Sequence, residues 1–348
     1  MKGYRCLITL ATGLFAWSTA SADHYGDLLL FPELTQIGRF DLKDDSRLPE
    51  QRINPGLNLF YSYDQDRLRF LLEWLVDRSA QEIQRLQLGW RWQDTTFWLG
   101  RTHNPIGYWN TRFHHGAYLM TSISRPGMMT YENSGGPLPL HVTGLYLEGS
   151  RELGESSLYY VLNAGVGPDL SERRLDAFDI LDPEGDRRPA VTLRLGYQPT
   201  AFASDEFGFS FSYTEIPGQA IGVQRVDQMV ANAYATWRWD DFNFLTEAIF
   251  VHNDYQGAQA QSNIGNVYGQ GEWKATPDLT VYSRVEGSFN DAGDRYFDHF
   301  GSFVRERYLG GLRYELPYKM ALKFELARER VRDDHYGQLG LQWSAVFP

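Results

Sequence analysis

Phe207-Gly208-Phe209-Ser210-Phe211-Ser212-Tyr213-Thr214 sets an aromatic ring at every second position and a small or hydroxyl-bearing residue between them. Successive side chains of an extended strand leave on opposite faces, so this stretch has one apolar and one aqueous face. The pattern recurs outward from it. Val191, Leu193, Leu195 and Tyr197 alternate with Thr192, Arg194 and Gly196, and Leu57, Leu59, Tyr61 and Tyr63 with Asn58, Phe60 and Ser62. Leu86, Leu88, Trp90 and Trp92 alternate with Arg85, Gln87, Gly89 and Arg91. A soluble sandwich alternates too, but its polar face meets bulk water and favours Lys, Glu and Thr. Here the polar face carries Gly, Ser, Asn, Gln and isolated Arg, while the apolar face ends in Trp and Tyr. Aromatic ends on an apolar band suit the two interfaces of a membrane.

Beyond residue 30 no apolar run is long enough to cross a bilayer as a helix, so a spanning structure has to be a closed barrel with every backbone group paired. Alternating segments fall at 34–42, 56–64, 67–77, 83–93, 95–103, 141–149, 156–167 and 189–198, then at 206–215, 226–240, 241–253, 263–275, 278–289, 304–316, 319–330 and 336–347. That predicts an all-β, antiparallel, up-and-down transmembrane β-barrel of sixteen strands, or fourteen if one pair of segments is miscounted. The connections sort by parity: Asp64-Gln65-Asp66, Gln93-Asp94, Asp240-Asp241, Thr276-Pro277-Asp278 and Pro317-Tyr318 are tight turns, as on a periplasmic side. The alternate connections, including 104–140, 168–188 and 290–303, are long and would face outward. Segment 241–253 is apolar on both faces (Phe244 and Phe250 against Leu245, Ile249 and Val251), which marks a subunit interface, a plug contact or a misregistered strand.

Lys2 and Arg5, the apolar stretch Cys6 to Trp17 and the small residues Ala20 and Ala22 predict a cleaved signal peptide over 1–22 and a barrel over 23–348. Cleavage would remove the only cysteine, excluding disulfides and thiol chemistry. It would also take the 33 basic residues to 31 against 44 acidic ones, moving the net charge from −11 to −13, so nucleic acid is not an expected partner. The final segment sets Leu339, Leu341, Trp343, Ala345 and Phe347 on one face. It resembles the closing strand that outer-membrane assembly machinery reads, except that Pro348 follows the terminal aromatic.

With these features the chain resembles bacterial porins of the sixteen-stranded class, in architecture and over essentially all of 23–348. The resemblance implies a Gram-negative outer-membrane channel for passive diffusion of small hydrophilic solutes. It also implies contacts with lipid and lipopolysaccharide, admits a homotrimer, and involves no cofactor or catalysis. It further implies that the third external loop, 104–140 by this count, folds into the barrel and narrows it. The loop's turn residues Pro105, Gly107, Pro126, Gly127, Gly135 and Gly136 and its rings Tyr108, Trp109, Phe113 and Tyr118 fit a shaped, packed segment.

Candidate constriction residues are Arg101, Trp109, Arg112, His114, His115, Arg125 and Glu132, with Arg69, Arg91, Arg194, Arg284 and Arg313 on the lumen wall. Between Arg101 and His141 the charge is +2 with histidine neutral, which would favour anions. The alternative is that these arginines pair with lumen carboxylates such as Glu73, Glu148, Glu247, Glu286 and Glu315 and stiffen the wall. His103, His114, His115 and His141 are metal-capable, but adjacent histidines on extended backbone diverge, and hydrogen bonding inside a packed loop accounts for them as well. A rim hydrolase drawing on Ser122, Ser124 and these histidines lacks any motif. A sugar-binding or polysaccharide-export barrel would use the same loop aromatics.

Overall fold

The computed structural model describes residues 25–43, 48–78, 81–113, 116–171, 173–178, 180, 186–200, 204–258, 260–291 and 293–348. The signal-peptide segment, Asp44-Asp45 and the pair His114-His115 lie outside the described residues. The first eight strands are β1 (Tyr25–Phe40), β2 (Gln51–Gln65), β3 (Leu68–Asp77), β4 (Gln81–Trp92), β5 (Thr95–His103), β6 (His141–Leu153), β7 (Ser156–Val166) and β8 (Asp169–Leu170). They continue as β9 (Leu175–Asp176), β10 (Pro189–Gln198), β11 (Glu206–Pro217), β12 (Arg225–Trp239), β13 (Phe242–Gln256), β14 (Ala260–Lys274) and β15 (Leu279–Phe289). The last three are β16 (Val304–Leu316), β17 (Met320–Val331) and β18 (Asp334–Ala345). All except β8 and β9, which pair only with each other, form one closed antiparallel barrel of neighbours in sequence.

Sixteen strands therefore form the wall, and the fourteen-strand alternative falls away. Phe207, Phe209 and Phe211 are exposed on the outside, whereas Ser210, Ser212 and Thr214 are buried within. The tight turns hold left-handed residues, Asp66, Gln93, Asp240 and Tyr318 among them, as two-residue hairpins require. Closure runs from Glu33↔Ser344 to Phe40↔Gly337.

Strand ends differ from the sequence expectation where alternation breaks. The first strand begins at Tyr25, not at 34, because Tyr25 to Pro32 pairs with the length of β2 down to Asp64. The run Leu28-Leu29-Leu30-Phe31 hides this, being apolar on both faces: Phe31 turns inward under Gly116, whose added Cβ would stand 2.5 Å from the Phe31 Cβ. The last strand ends at Ala345, and Phe347 returns as an isolated bridge, exchanging backbone hydrogen bonds of 2.8 and 2.9 Å with Leu30. Segment 241–253 is a regular strand, β13. Its inward apolar residues Leu245, Ile249 and Val251 belong to the core beneath the 104–140 segment, so its second apolar face is a plug contact.

Candidate functional site: an anchored loop and the passage beside it

Residues 104–140 leave β5 and fold into the lumen. Gly107 makes the first bend at φ 72, a conformation that suits glycine, and an added Cβ would stand 2.1 Å from Glu247 Oε1. The short helix α1 (Tyr108–Arg112) follows. The loop's apolar residues Ile106, Trp109, Met128, Met129, Leu138 and Leu140 are each 0–1% exposed. They share one core with β13 and with Tyr296, Phe297, Phe300 and Phe303 of the connection 290–303. At about 1.5–3 kcal/mol for each large apolar side chain removed from water, this core favours the inward fold.

Charged wall residues then bind the loop's backbone. Tyr108 N–H donates to Glu247 Oε1 at 2.9 Å, Ile123 N–H to Glu325 Oε2 at 3.0 Å, and Gly127 N–H to Glu286. In the other direction Arg284 donates to the Ser124 carbonyl at 2.8 Å, Arg313 to those of Tyr118 and Met120 at 2.6 and 2.7 Å, and Lys323 to that of Ala117 at 2.6 Å. Buried charge needs such partners, and orphan loop amides need acceptors, so each half satisfies the other. Sequence inspection missed Glu247, Glu325 and Lys323 as loop anchors. Their signal was a charged residue on the aqueous face opposite a long glycine- and proline-punctuated connection.

The residues singled out from sequence divide accordingly. Arg101 pairs with Glu82. Arg112 reaches Glu206 at 2.6 Å and the Tyr159 hydroxyl at 2.8 Å. Trp109 is wholly enclosed: its ring packs on Phe113 and Tyr268, at 4.8 and 6.3 Å, beneath the Arg284 guanidinium, so it faces packing and not the passage. His114 and His115 lie outside the described residues. Arg125 is buried, donates to the Met129 and Phe113 carbonyls and stacks on the Tyr131 ring at 3.9 Å. Of the wall arginines, Arg194 pairs with Glu206 at 2.9 Å and Arg313 with Glu315 at 2.6 Å. Arg69 pairs with Asp64 at 3.2 Å, Arg284 lies 4.0 Å from Glu286, and Arg91 is exposed beside a tight turn. Arginine–carboxylate pairing therefore accounts for most of the basic lumen.

Glu132 and His141 lock the loop's exit. Glu132 accepts from the Leu140 N–H at 2.7 Å and meets His141 Nδ1 at 2.6 Å, while the His103 ring packs edge-on to that of His141. Among the described residues no group of three or more metal-capable side chains assembles. Burial pushes the Glu132 carboxyl up to about 8, against the pull of Arg101 and the Leu140 and His141 amides, with Asp176 adding to the rise. Because the folded value lies above the ordinary 4.5, this group's contribution is fully present below pH 4.5 and is lost as pH rises through about 8. The thermal midpoint of the detergent-folded protein is therefore expected to fall across that window. Glu132→Gln should flatten the fall, and a wild-type midpoint that rises with pH would contradict the assignment.

What the loop leaves open is a cavity of about 310 Å³ between it and the wall at β1–β4 and β16–β18. Arg39, Arg52, Glu33 and Asp77 line it from β1–β3, with Arg125 and Tyr131 opposite on the loop.

No protein-family model and no curated protein matches this sequence. Solved structures do match in fold. The outer membrane channel DcaP of Acinetobacter baumannii aligns at 15% identity and TM-score 0.58, covering 94% of this chain and 99% of the other. OmpT, an outer membrane protein of Vibrio cholerae, aligns at 10% identity and TM-score 0.57, covering 94% and 99%. A mutant of the Rh. blastica porin aligns at 10% and 0.51, covering 92% and 100%. The fold is that of a porin-like outer-membrane β-barrel.

Proposed function

We propose that this barrel is an outer-membrane channel for passive diffusion of small hydrophilic solutes, with a mild preference for anions. The observation that carries it is the polar passage beside the loop, in which Arg39, Arg52 and Arg125 have no carboxylate in ion-pair contact among the described residues. Arg39 donates to the Pro49 carbonyl, Arg125 to loop carbonyls, and Arg52 stands exposed. Most other arginines of the lumen have a carboxylate partner, so these three are the cations that act on a solute in a narrow, low-dielectric path.

In planar bilayers under a KCl gradient the reversal potential is expected to report chloride preference, and Arg52→Gln to reduce it. A clear potassium preference in the wild type would overturn the anion assignment. A non-catalytic role is supported by the loop hydroxyls: Ser122 donates to the Ser124 carbonyl at 2.9 Å, and Ser124 donates to Glu325, whose oxygens also accept from the Ile123 N–H and the Tyr282 hydroxyl and so serve to hold the loop. Turnover of ester or peptide substrates that Ser→Ala variants abolish would count against it. The V. cholerae OmpT is also described in a trimer form. We carry a homotrimer to this chain as an expectation, checked by mass measurement in detergent.

A further inference from the structure

We propose that the passage selects solutes bearing a carboxylate at one end and an ammonium at the other, short peptides in particular, and conducts them with the carboxylate toward the long-loop side. This rests on the channel reading above. The charges of the passage are ordered along its axis. On the inner face of β1–β3 one rung of the sheet is Glu33↔Gly56↔Asp77. Gly56 has no side chain, so Glu33 lies across it: a Cβ built on Gly56 would stand 2.9 Å from Glu33 Cγ. Two carboxylates thus flank one glycine. Lys323, the cation behind Glu33, donates to the Ala117 carbonyl and to Gln342. The next inward rung, Thr35↔Asn54, is neutral, and the one beyond is Ile37↔Arg52, with Arg39 further toward the long connection 41–50.

At about 3.3 Å per residue the arginine rung lies about 13 Å from the carboxylate rung. An extended chain advances about 3.5 Å per residue, so a peptide of about two to four residues bridges the two once the wall side chains reach inward. Along this wall the sign of charge reverses from one rung to the other, so a solute carrying both signs meets a complement at each end.

On the tight-turn side of the carboxylate rung the passage holds acceptors without donors. The Asn58 amide nitrogen donates to Glu73 at 2.7 Å and that of Gln84 to Glu82 at 2.9 Å. A carboxylate only accepts, which fixes the carbonyl oxygens as the remaining atoms of both amides. Asn58 Oδ1 and Gln84 Oε1 are buried and have no hydrogen-bond partner among the described residues, on side chains 5% and 2% exposed. Arg125 Nη2, on the loop opposite, is a buried donor likewise without a partner. Unmatched buried acceptors and donors are costly, and a solute with backbone N–H and C=O groups supplies both complements. An inorganic anion supplies neither N–H donors nor an ammonium for Glu33 and Asp77.

The test compares trialanine, N-acetyl-trialanine (carboxylate only), trialanine amide (ammonium only) and a neutral disaccharide in swelling of proteoliposomes holding the full folded chain at pH 7. Trialanine is expected to enter faster than either blocked form by about threefold or more, the scale of one solvent-accessible ion pair at each end. Glu33→Gln and Arg52→Gln should each shrink that ratio. Entry of the acetylated peptide at an equal or higher rate would overturn the proposal while leaving a channel. No entry of any solute, with no conductance, would overturn the channel as well. The wild-type solute series decides by itself, whichever variants fold.

Discussion

Trp109→Ala is expected to release the constriction loop from the wall, lowering unfolding stability in detergent by about 3–5 kcal/mol, the usual cost of emptying a fully buried large aromatic site. The side chain is 0% exposed and touches both the loop's own Phe113 and Tyr268 of β14, so no neighbouring segment can collapse into its place without moving the loop. The Arg284 guanidinium also loses the ring it faces at 5.3 Å. Three measurements should move together. Trypsin should cut after Arg112 in the folded variant, single-channel conductance should rise and become noisy, and the solute size limit should widen. Unchanged conductance together with unchanged protection would mean that the loop is held without its core.

Glu325→Ala is expected to cost about as much, about 3–5 kcal/mol, by another route: it removes the acceptor of several buried donors at once. Glu325 is 2% exposed and accepts from the Ile123 and Ser124 N–H groups, the Ser124 hydroxyl and the Tyr282 hydroxyl. Alanine leaves all four facing a void. Glu325→Gln keeps one acceptor oxygen but turns an NH₂ toward donors, so an intermediate loss is expected. Urea titration followed by tryptophan fluorescence ranks the three proteins. A glutamine variant as stable as wild type would show that the carboxylate's charge contributes nothing to holding the loop.

Both changes break contacts that include partners over a hundred residues away in sequence, and this marks what was legible beforehand. The barrel was legible because period-two alternation is local: each strand declares its two faces within eight or ten residues, and turn chemistry punctuates them. Alternation failed at Leu28 to Phe31 and at β13, where an inward apolar side chain serves a segment far away in the chain. Loop 104–140 showed its packed character in its rings and turn residues. Which residues face water did not show, because Trp109 and Arg125 stand on the same loop and only packing separates them. The lumen arginines carried the same ambiguity. Arg194 and Arg313 have close carboxylates while Arg39 and Arg52 do not, and no spacing rule distinguishes them.

The sequence alone determined a closed antiparallel sheet of sixteen or fourteen strands, because an aqueous and an apolar face on most strands admit few other arrangements in a membrane, and closure settled on sixteen. Tertiary structure decided where the cavity lies. Closing the sheet brings β1–β4 opposite the loop, sets Glu33 and Asp77 on either side of Gly56, and turns Arg39 and Arg52 to the same side. That order of charge depends on register and curvature, which are properties of the assembled wall and not of any one strand.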